Sequence, residues 1–348
     1  MTQSDMMQLK LPAAIKLVHQ AAILMNEPVA LWGPAGVGKT EGISALVDRI
    51  GAVMCDIRLG QYDSVDMRGF PGIDPKTGLT IWHAPSTMPF IGNDAWPDDR
   101  IIVMFLDEIS SATMPVAGNA YQLVNEGRLG EHVLKPNVRI VAAGNREGDR
   151  GVVNRSPKPL MNRFTHAEVV PDVEALCHWL QDNGYPGVGI AFLQFRPDLI
   201  DTFDASSPAK AFATPRTWAK AFNYWASDMD PETKAAAQAG AVGMGPAAEF
   251  GAFTQVWSSM IPIKDIIADP KKAPVPTEPS MCYAVAVNVS GNMNADTVTP
   301  LSAYLDRMEP DFAVLAWTLA TRRDKKLTLS HEFQHGYAQR IAPIVTSR

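Results

Sequence analysis

The octapeptide GPAGVGKT at residues 33–40 is the stretch of this sequence best suited to chemistry. It fits the pattern G-x-x-x-x-G-K-[ST], in which glycines let backbone N–H groups surround a phosphate. The lysine can reach the β- and γ-phosphates of a nucleotide, and the threonine hydroxyl can bind Mg²⁺. We therefore predict a phosphate-binding loop formed by Gly33, Pro34, Ala35, Gly36, Val37, Gly38, Lys39 and Thr40.

The residues on either side of this loop predict the elements that would hold it. PVALW (28–32) is a short apolar run typical of a strand, and TEGISALVDRI (40–50) has the spacing of an amphipathic helix. In such a strand–loop–helix unit the N-terminus of the helix points at the bound anion. A chance glycine-rich turn is the alternative, and the two flanking elements weigh against it.

Two carboxylates end a second apolar run. RIIVMFLDE (100–108) predicts a buried strand with Asp107 and Glu108 at its carboxyl end, where open α/β sheets bind ligands. Asp107 would hold Mg²⁺, partly through water, and Glu108 would orient and deprotonate an attacking water. VRIVAAGN (138–145) ends another such run with Asn145, whose amide could lie between the γ-phosphate and that water. Solvated acids and a turn-capping asparagine are the plain alternatives.

Composition limits the class of protein. The 348 residues exceed one typical core, and 46% hydrophobic with 20% charged residues is ordinary for a soluble protein. The net charge of −6 gives no overall attraction to nucleic acid or to an acidic membrane. Three widely separated cysteines indicate reduced thiols. With no signal-peptide pattern and no apolar run long enough to span a membrane, we expect a cytoplasmic protein.

The order of patterns predicts an α/β domain followed by helices. Five buried strands alternate with helical patterns up to residue 170, which indicates a parallel sheet. Residues 66–92 interrupt this alternation with a Gly- and Pro-rich insert containing a hairpin-like segment, PKTGLTIW. We expect a nucleotide-binding domain at 1–170, a helical lid at 171–262, and a linker with a helical C-terminal extension at 263–348.

Taken together, the motifs GPAGVGKT, FLDEIS, AAGN, PLMNRF and TPRTW resemble those of the AAA+ ATPases, and within them the MoxR-like, dynein-related group. The resemblance covers about residues 10–260. It implies a P-loop αβα domain with a parallel five-stranded sheet, an all-α lid, and a helical C-terminal extension. It also places Asp107 and Glu108 in the Walker B motif.

The same resemblance implies roles for three further residues. Asn145 is similar to the family's sensor 1. Arg163 in PLMNRF is similar to the arginine finger, which acts on ATP held by a neighbouring subunit, and Arg216 in TPRTW is similar to sensor 2. Asn162 stands where many relatives have aspartate, and Arg155 is a nearby competitor for the finger role.

The implied function is that of a ring-forming ATPase, a homo-hexamer that uses ATP and Mg²⁺ to remodel or activate a protein partner. The resemblance also implies a partner with a von Willebrand A-type domain. Two alternatives remain: a DNA-directed AAA+ motor, which the acidic charge disfavours, and a nucleotide-gated scaffold with little hydrolysis.

HEFQH (331–335) is a competing motif, because H-E-x-x-H on a helix can bind zinc in metalloproteases. A catalytic zinc site needs a third protein ligand. The residues after His335 offer no histidine, glutamate or aspartate. We therefore expect an ordinary amphipathic helix here, and we regard zinc protease activity as the weaker hypothesis.

Overall fold

The computed structural model describes residues 6–146 and 157–341. The chain divides into two compact units, Met1–Pro171 and Asp172–Arg348. The first unit contains all the described strands, which are β1 (Gln8–Lys10), β2 (Val29–Trp32), β3 (Val53–Arg58), β4 (Phe70–Ile73), β5 (Thr80–His83), β6 (Ile102–Asp107), β7 (Arg128–Leu129), β8 (His132–Val133), β9 (Val138–Gly144) and β10 (Thr165–Val170).

Six of these strands form one parallel sheet in the order β1–β10–β2–β9–β6–β3. Five strands are predicted from apolar runs at residues 28–32, 52–59, 100–108, 138–145 and 165–170. They are confirmed as β2, β3, β6, β9 and β10. The expected total of five was wrong, because β1 pairs with β10 as a sixth strand. Three residues at a sheet edge bury little apolar surface, so β1 leaves almost no hydrophobic pattern in the sequence.

Helices cover both faces of this sheet. They are α1 (Leu11–Leu17), α2 (Lys39–Arg49), α3 (Ser64–Arg68), α4 (Met114–Glu126) and α5 (Lys158–Met161), and a wider π-type turn continues α1 over Val18–Leu24. Alternation along β2 serves both layers: Val29 and Leu31 pack in the cluster that includes α1 and α2, whereas Ala30 and Trp32 pack in the cluster that includes α4. The first unit is therefore a three-layer αβα structure.

The insert forms an antiparallel hairpin from β4 and β5, with Phe70 opposite His83 and Ile73 opposite Thr80. Trp82 is half-buried, with the Arg68 guanidinium 4.3 Å from its ring centroid. The Trp82 backbone N–H donates to the Glu131 carboxylate at 2.8 Å. These contacts fix the base of the hairpin and leave apolar side chains exposed along it.

The second unit is helical throughout its described part. Its helices are α6 (Val173–Asp182), α7 (Gly187–Phe195), α8 (Pro215–Ala226), α9 (Pro231–Val242), α10 (Met244–Ser259), α11 (Ile263–Ala268), α12 (Pro279–Asn292), α13 (Val298–Leu305) and α14 (Pro310–Arg323), and a π-type helix spans Glu332–Ile341. Helix α12 is apolar on most sides because it packs against both α7 and α14. In the described residues no helix is both long and apolar enough to cross a membrane.

The HEFQH segment lies at the start of the last helix. The rings of His331 and His335 are 4.6 Å apart between centroids, and Glu332 accepts a hydrogen bond from the Thr299 hydroxyl at 2.6 Å. Within residues 6–146 and 157–341, no group of three histidine, cysteine, aspartate or glutamate side chains could hold a metal ion.

Candidate active site

The predicted phosphate-binding loop connects β2 to α2 at the carboxyl edge of the sheet. Its first residue must be glycine, since a Cβ on Gly33 would lie 2.4 Å from the backbone oxygen of Val169. Gly38 has φ 98°, a left-handed value that favours glycine, and it immediately precedes α2. The loop is thus shaped by its contact with β10 and by the turn that starts the helix.

Lys39 is directed back into this loop. Its side chain is 8% exposed, and Nζ donates to the backbone oxygen of Gly33 at 2.8 Å and of Pro34 at 3.0 Å. A buried ammonium group requires such acceptors. The two carbonyls therefore hold the Lys39 ammonium group inside the loop, where phosphate oxygens could replace them as acceptors.

Thr40 and Asp107, which lie 67 positions apart in sequence, meet at this edge. The Thr40 hydroxyl donates to Asp107 Oδ2 at 3.0 Å, while Asp107 Oδ1 accepts the backbone N–H of Glu108 at 2.8 Å. A hydroxyl and a carboxylate are the hard oxygen ligands that Mg²⁺ prefers. This pair fits the predicted magnesium site, with the carboxylate able to act directly or through water.

Glu108 follows β6 with its backbone in the left-handed region, at φ 55° and ψ 36°. The side chain is exposed and lies against the turn after β3, where a Cβ on Gly60 would be 2.9 Å from Glu108 Oε2. Gly60 was not identified from the sequence. A side chain at position 60 would collide with the Glu108 carboxylate, so glycine leaves the space that this carboxylate occupies.

Asn145 follows β9, the strand between β2 and β6 in the sheet. Its backbone N–H donates to the hydroxyl of Ser110 at 3.2 Å, and Ser110 is 3% exposed in the short turn after Glu108. The strand order and this hydrogen bond place Asn145 beside the Asp107–Glu108 segment. Sequence analysis missed Ser110, since a single serine after two acids carries no pattern.

An ion pair with a buried glutamate supports the segment after Asn145. Arg146 Nε lies 2.8 Å from Glu168 Oε1, and Glu168, which is 3% exposed on β10, also accepts from Gln8 Nε2 at 3.3 Å. These contacts connect the end of β9 to β10 and β1. The alternating pattern of β10 gave no sign that one of its inward residues is charged.

Arg163 lies at the opposite edge of the sheet. It comes two residues before Thr165, which pairs with Val29 at the start of β2, whereas Gly33 follows the end of β2. Four strand residues, about 13 Å, separate those two ends. The exposed Arg163 side chain forms no hydrogen bond or ion pair with another described residue, so the structure does not bring it to the loop of its own chain.

The two remaining candidate arginines lie elsewhere. Arg216 is exposed in the first turn of α8, where Thr214 caps the helix by accepting the backbone N–H of Thr217. It belongs to the second unit. Arg155 lies outside the described residues.

No family model matches the chain. Among solved structures it is similar to NtrX from Brucella abortus in complex with ADP, with 12% identity, coverage of 90% of this chain and 68% of NtrX, and a TM-score of 0.41. It is also similar to a RuvB mutant from Thermotoga maritima, with 14% identity, coverage of 85% and 86%, and a TM-score of 0.37. At such distant similarity, the function has to be inferred from the residues of this chain.

Proposed function

We propose that the protein is an AAA+ ATPase that hydrolyses ATP at the interfaces between subunits of a hexameric ring. The observation that carries this proposal is the 3.0 Å hydrogen bond between Thr40 and Asp107. It joins a glycine-rich loop to an acidic strand end, and P-loop NTPases hold Mg²⁺ between a loop Ser/Thr and a strand-end Asp in this way.

In this proposal each polar group at the carboxyl edge has one task. Lys39 exchanges the carbonyls of Gly33 and Pro34 for phosphate oxygens, and the loop N–H groups bind the same phosphates. Glu108 accepts a proton from the water that attacks the γ-phosphorus, while Asn145 orients that water. Mg²⁺, held by Thr40 and Asp107, would offset the negative charge of the phosphates.

Arg163 would complete the site of a neighbouring subunit. Its position at the amino edge supports action in trans, because its own loop lies at the other edge of the sheet. An arginine supplied by a neighbour typically contributes ~10³–10⁵ in rate. Arg216 would act on the γ-phosphate from the helical lid, a role that rests on the resemblance to AAA+ proteins.

The insert hairpin would contact the protein that is remodelled. Phe70, Ile73 and Leu79 are 65%, 74% and 68% exposed, and exposed apolar side chains this close together favour an interaction surface. A partner with a von Willebrand A-type domain, a MoxR-like chaperone role and a cytoplasmic location belong to the same proposal.

The substitution Glu108→Gln tests the proposal most directly. We expect the variant to bind ATP with unchanged affinity and to lose turnover, since the amide cannot accept the proton. Lys39→Ala should lose both binding and turnover. Isothermal titration with ATP and a phosphate-release assay separate the two effects; normal hydrolysis by Glu108→Gln would overturn the assignment of Glu108, and no ATP binding by the wild type would overturn the function.

A further inference from the structure

We propose that Trp32 and His166 form a positioning pair that holds the phosphate-binding loop at one edge of the sheet and the Arg163 turn at the other. This inference rests on the proposed ATPase function. Neither residue touches a reacting atom, so each would act through the segments that it fixes.

Two hydrogen bonds define the pair. Trp32 Nε1 donates to His166 Nδ1 at 2.9 Å, and His166 Nε2 lies 2.7 Å from the backbone oxygen of Met161. An indole N–H can only donate, so Nδ1 is unprotonated. The neutral imidazole therefore carries its proton on Nε2 and donates it to Met161. Each ring nitrogen thus has one fixed partner.

The register of the sheet explains how one pair can reach both edges. His166 is opposite Ala30 and therefore lies two residues back from Trp32 along the parallel strands β10 and β2. The two side chains share a face, and a diagonal neighbour lies within reach of a long aromatic ring. The indole spans from the carboxyl edge toward the amino edge.

At the carboxyl edge Trp32 contacts the two segments that carry the loop and Asn145. It directly precedes Gly33, the first residue of the phosphate-binding loop. Its ring also packs on Gly144, where a Cβ would lie 2.6 Å from the indole, and Asn145 follows Gly144. The position of the Trp32 ring thus bears on the loop and on Asn145 together.

At the amino edge His166 holds the turn that carries Arg163. The Met161 oxygen accepts from His166 and from the Phe164 backbone N–H at 3.1 Å, and Arg163 lies between Met161 and Phe164 in sequence. The Arg163 backbone N–H donates to the backbone oxygen of Leu160, a fully buried residue, at 3.1 Å. The backbone of Arg163 is therefore fixed, while its exposed side chain has no hydrogen-bond or ion-pair partner among residues 6–146 and 157–341.

Two near-isosteric substitutions separate the two hydrogen bonds. In His166→Asn the amide oxygen takes the place of Nδ1, which keeps the bond to Trp32 and removes the donor to Met161. In His166→Gln the amide nitrogen takes the place of Nε2, which keeps the donor to Met161 and removes the acceptor for Trp32. The variants should therefore damage different edges of the sheet.

Steady-state ATPase kinetics give the first readout. Loss of one hydrogen bond is expected to change a rate or binding constant by about tenfold. We expect His166→Asn to lower kcat by about tenfold with KM for ATP changed less than about twofold. We expect His166→Gln to raise KM by about tenfold with a smaller effect on kcat. Wild-type kinetics in both variants, or the same change in both, would overturn the inference.

Mixed assemblies give a second readout that isolates Arg163. Lys39→Ala subunits, which lack their own site, should restore activity to Arg163→Ala subunits by supplying the arginine. We expect Lys39→Ala/His166→Asn subunits to restore about tenfold less, and Lys39→Ala/His166→Gln subunits to restore the full amount. Equal restoration by all three would overturn the positioning role while leaving the ATPase proposal intact.

The controls distinguish a positioning role from a loss of folding. His132→Asn changes another histidine of the first unit, which lies on β8 with its ring centroid 5.3 Å from that of Phe90, and it should leave kcat, KM and restoration unchanged. Thermal unfolding should show all variants folded at the assay temperature. If Lys39→Ala alone restores nothing to Arg163→Ala, the shared site and this inference both fail.

Discussion

The backbone of Glu108 adopts a left-handed conformation at φ 55°, which costs a residue with a side chain about 1–2 kcal/mol. The conformation turns the chain sharply after Asp107 and sets the carboxylate against Gly60. The backbone N–H of Glu108 donates a hydrogen bond to Asp107 Oδ1 at 2.8 Å. Strain of this kind persists where surrounding contacts over-determine the conformation, and here those contacts fix both acids at once.

Gly60→Ala tests whether the place of the Glu108 carboxylate matters. The new Cβ would lie 2.9 Å from Glu108 Oε2 and 3.1 Å from the Ser111 Cβ, so the flexible carboxylate must move. A shift of about 1 Å can cost on the order of a hundredfold in rate. We expect kcat to fall while the Kd for ATP, measured by titration, stays unchanged. Gly118→Ala in α4 is the matched control, since its Cβ meets open space; wild-type kcat in Gly60→Ala would contradict the expectation.

The buried cysteines provide a prediction about reactivity. Burial, with a smaller contribution from Asp56, raises the pKa of the Cys55 thiol to about 12, and burial raises that of Cys177 to about 12 as well. Because only the thiolate reacts, iodoacetamide at pH 8 should leave both unmodified in the folded protein. Mass spectrometry should detect alkylation of both after unfolding in guanidinium chloride. Rapid labelling of native Cys55 would show that β3 opens.

At this scale the sequence could indicate residues whose type suits a chemical role, and it gave no sign of those that only adjust geometry. Thr40 and Asp107 share a hydrogen bond, and Lys39 donates to the backbone oxygen of Gly33, while the chemical roles of all three stay predictions. Gly60 and the Trp32–His166 pair were not identified from the sequence. Gly60 contacts Glu108, 48 positions away, and Trp32 contacts His166, 134 positions away, so both contacts depend on how distant strands pair. Local spacing contains no information about such partners.

Among the elements, length and apolarity decided what could be predicted. The strands β2, β6 and β9 are buried on both faces, so each appears as a continuous apolar run. The edge strand β1 has three residues and one half-buried side chain, and no such run marks it. Helix α12 contains the β-branched segment AVAVNV and is helical as expected for the C-terminal extension, with α7 and α14 packed against it.

The insert hairpin is the element to which the proposal assigns partner contact. We expect the double substitution Ile73→Ser with Leu79→Ser to reduce capture of the partner by the ATP-bound Glu108→Gln protein. Both side chains are largely exposed, so the free energy of unfolding should change by less than about 0.5 kcal/mol per site. Affinity purification followed by mass spectrometry measures the capture.

The control for the hairpin uses equally exposed apolar residues of the second unit. Met244 and Leu329 are 79% and 75% exposed, and their replacement by serine removes similar apolar surface. Capture should be unchanged in this control. If the hairpin variant captures as much partner as the control does, another surface makes the contact.

For the whole molecule, the separation of the loop and Arg163 predicts complementation. Arg163→Ala and Lys39→Ala should each be nearly inactive alone. The first lacks the arginine that completes the neighbouring site, and the second does not bind ATP. In a one-to-one mixture, random assembly leaves about a quarter of the interfaces with both groups intact. Phosphate release at about a quarter of the wild-type rate per subunit would agree with this; inactivity at every mixing ratio would refute the shared site.

The placement of the loop and Arg163 at opposite edges of one sheet also has a stoichiometric consequence. A contact that joins them pairs two different surfaces, so it is head-to-tail and leaves an unmatched surface at each end of an open row. Two subunits would then hold a single complete site, with one loop and one arginine idle. Only a closed ring completes every site. The number of complete sites per subunit, and with it the ATPase rate per subunit, would rise with each subunit added until the ring closes.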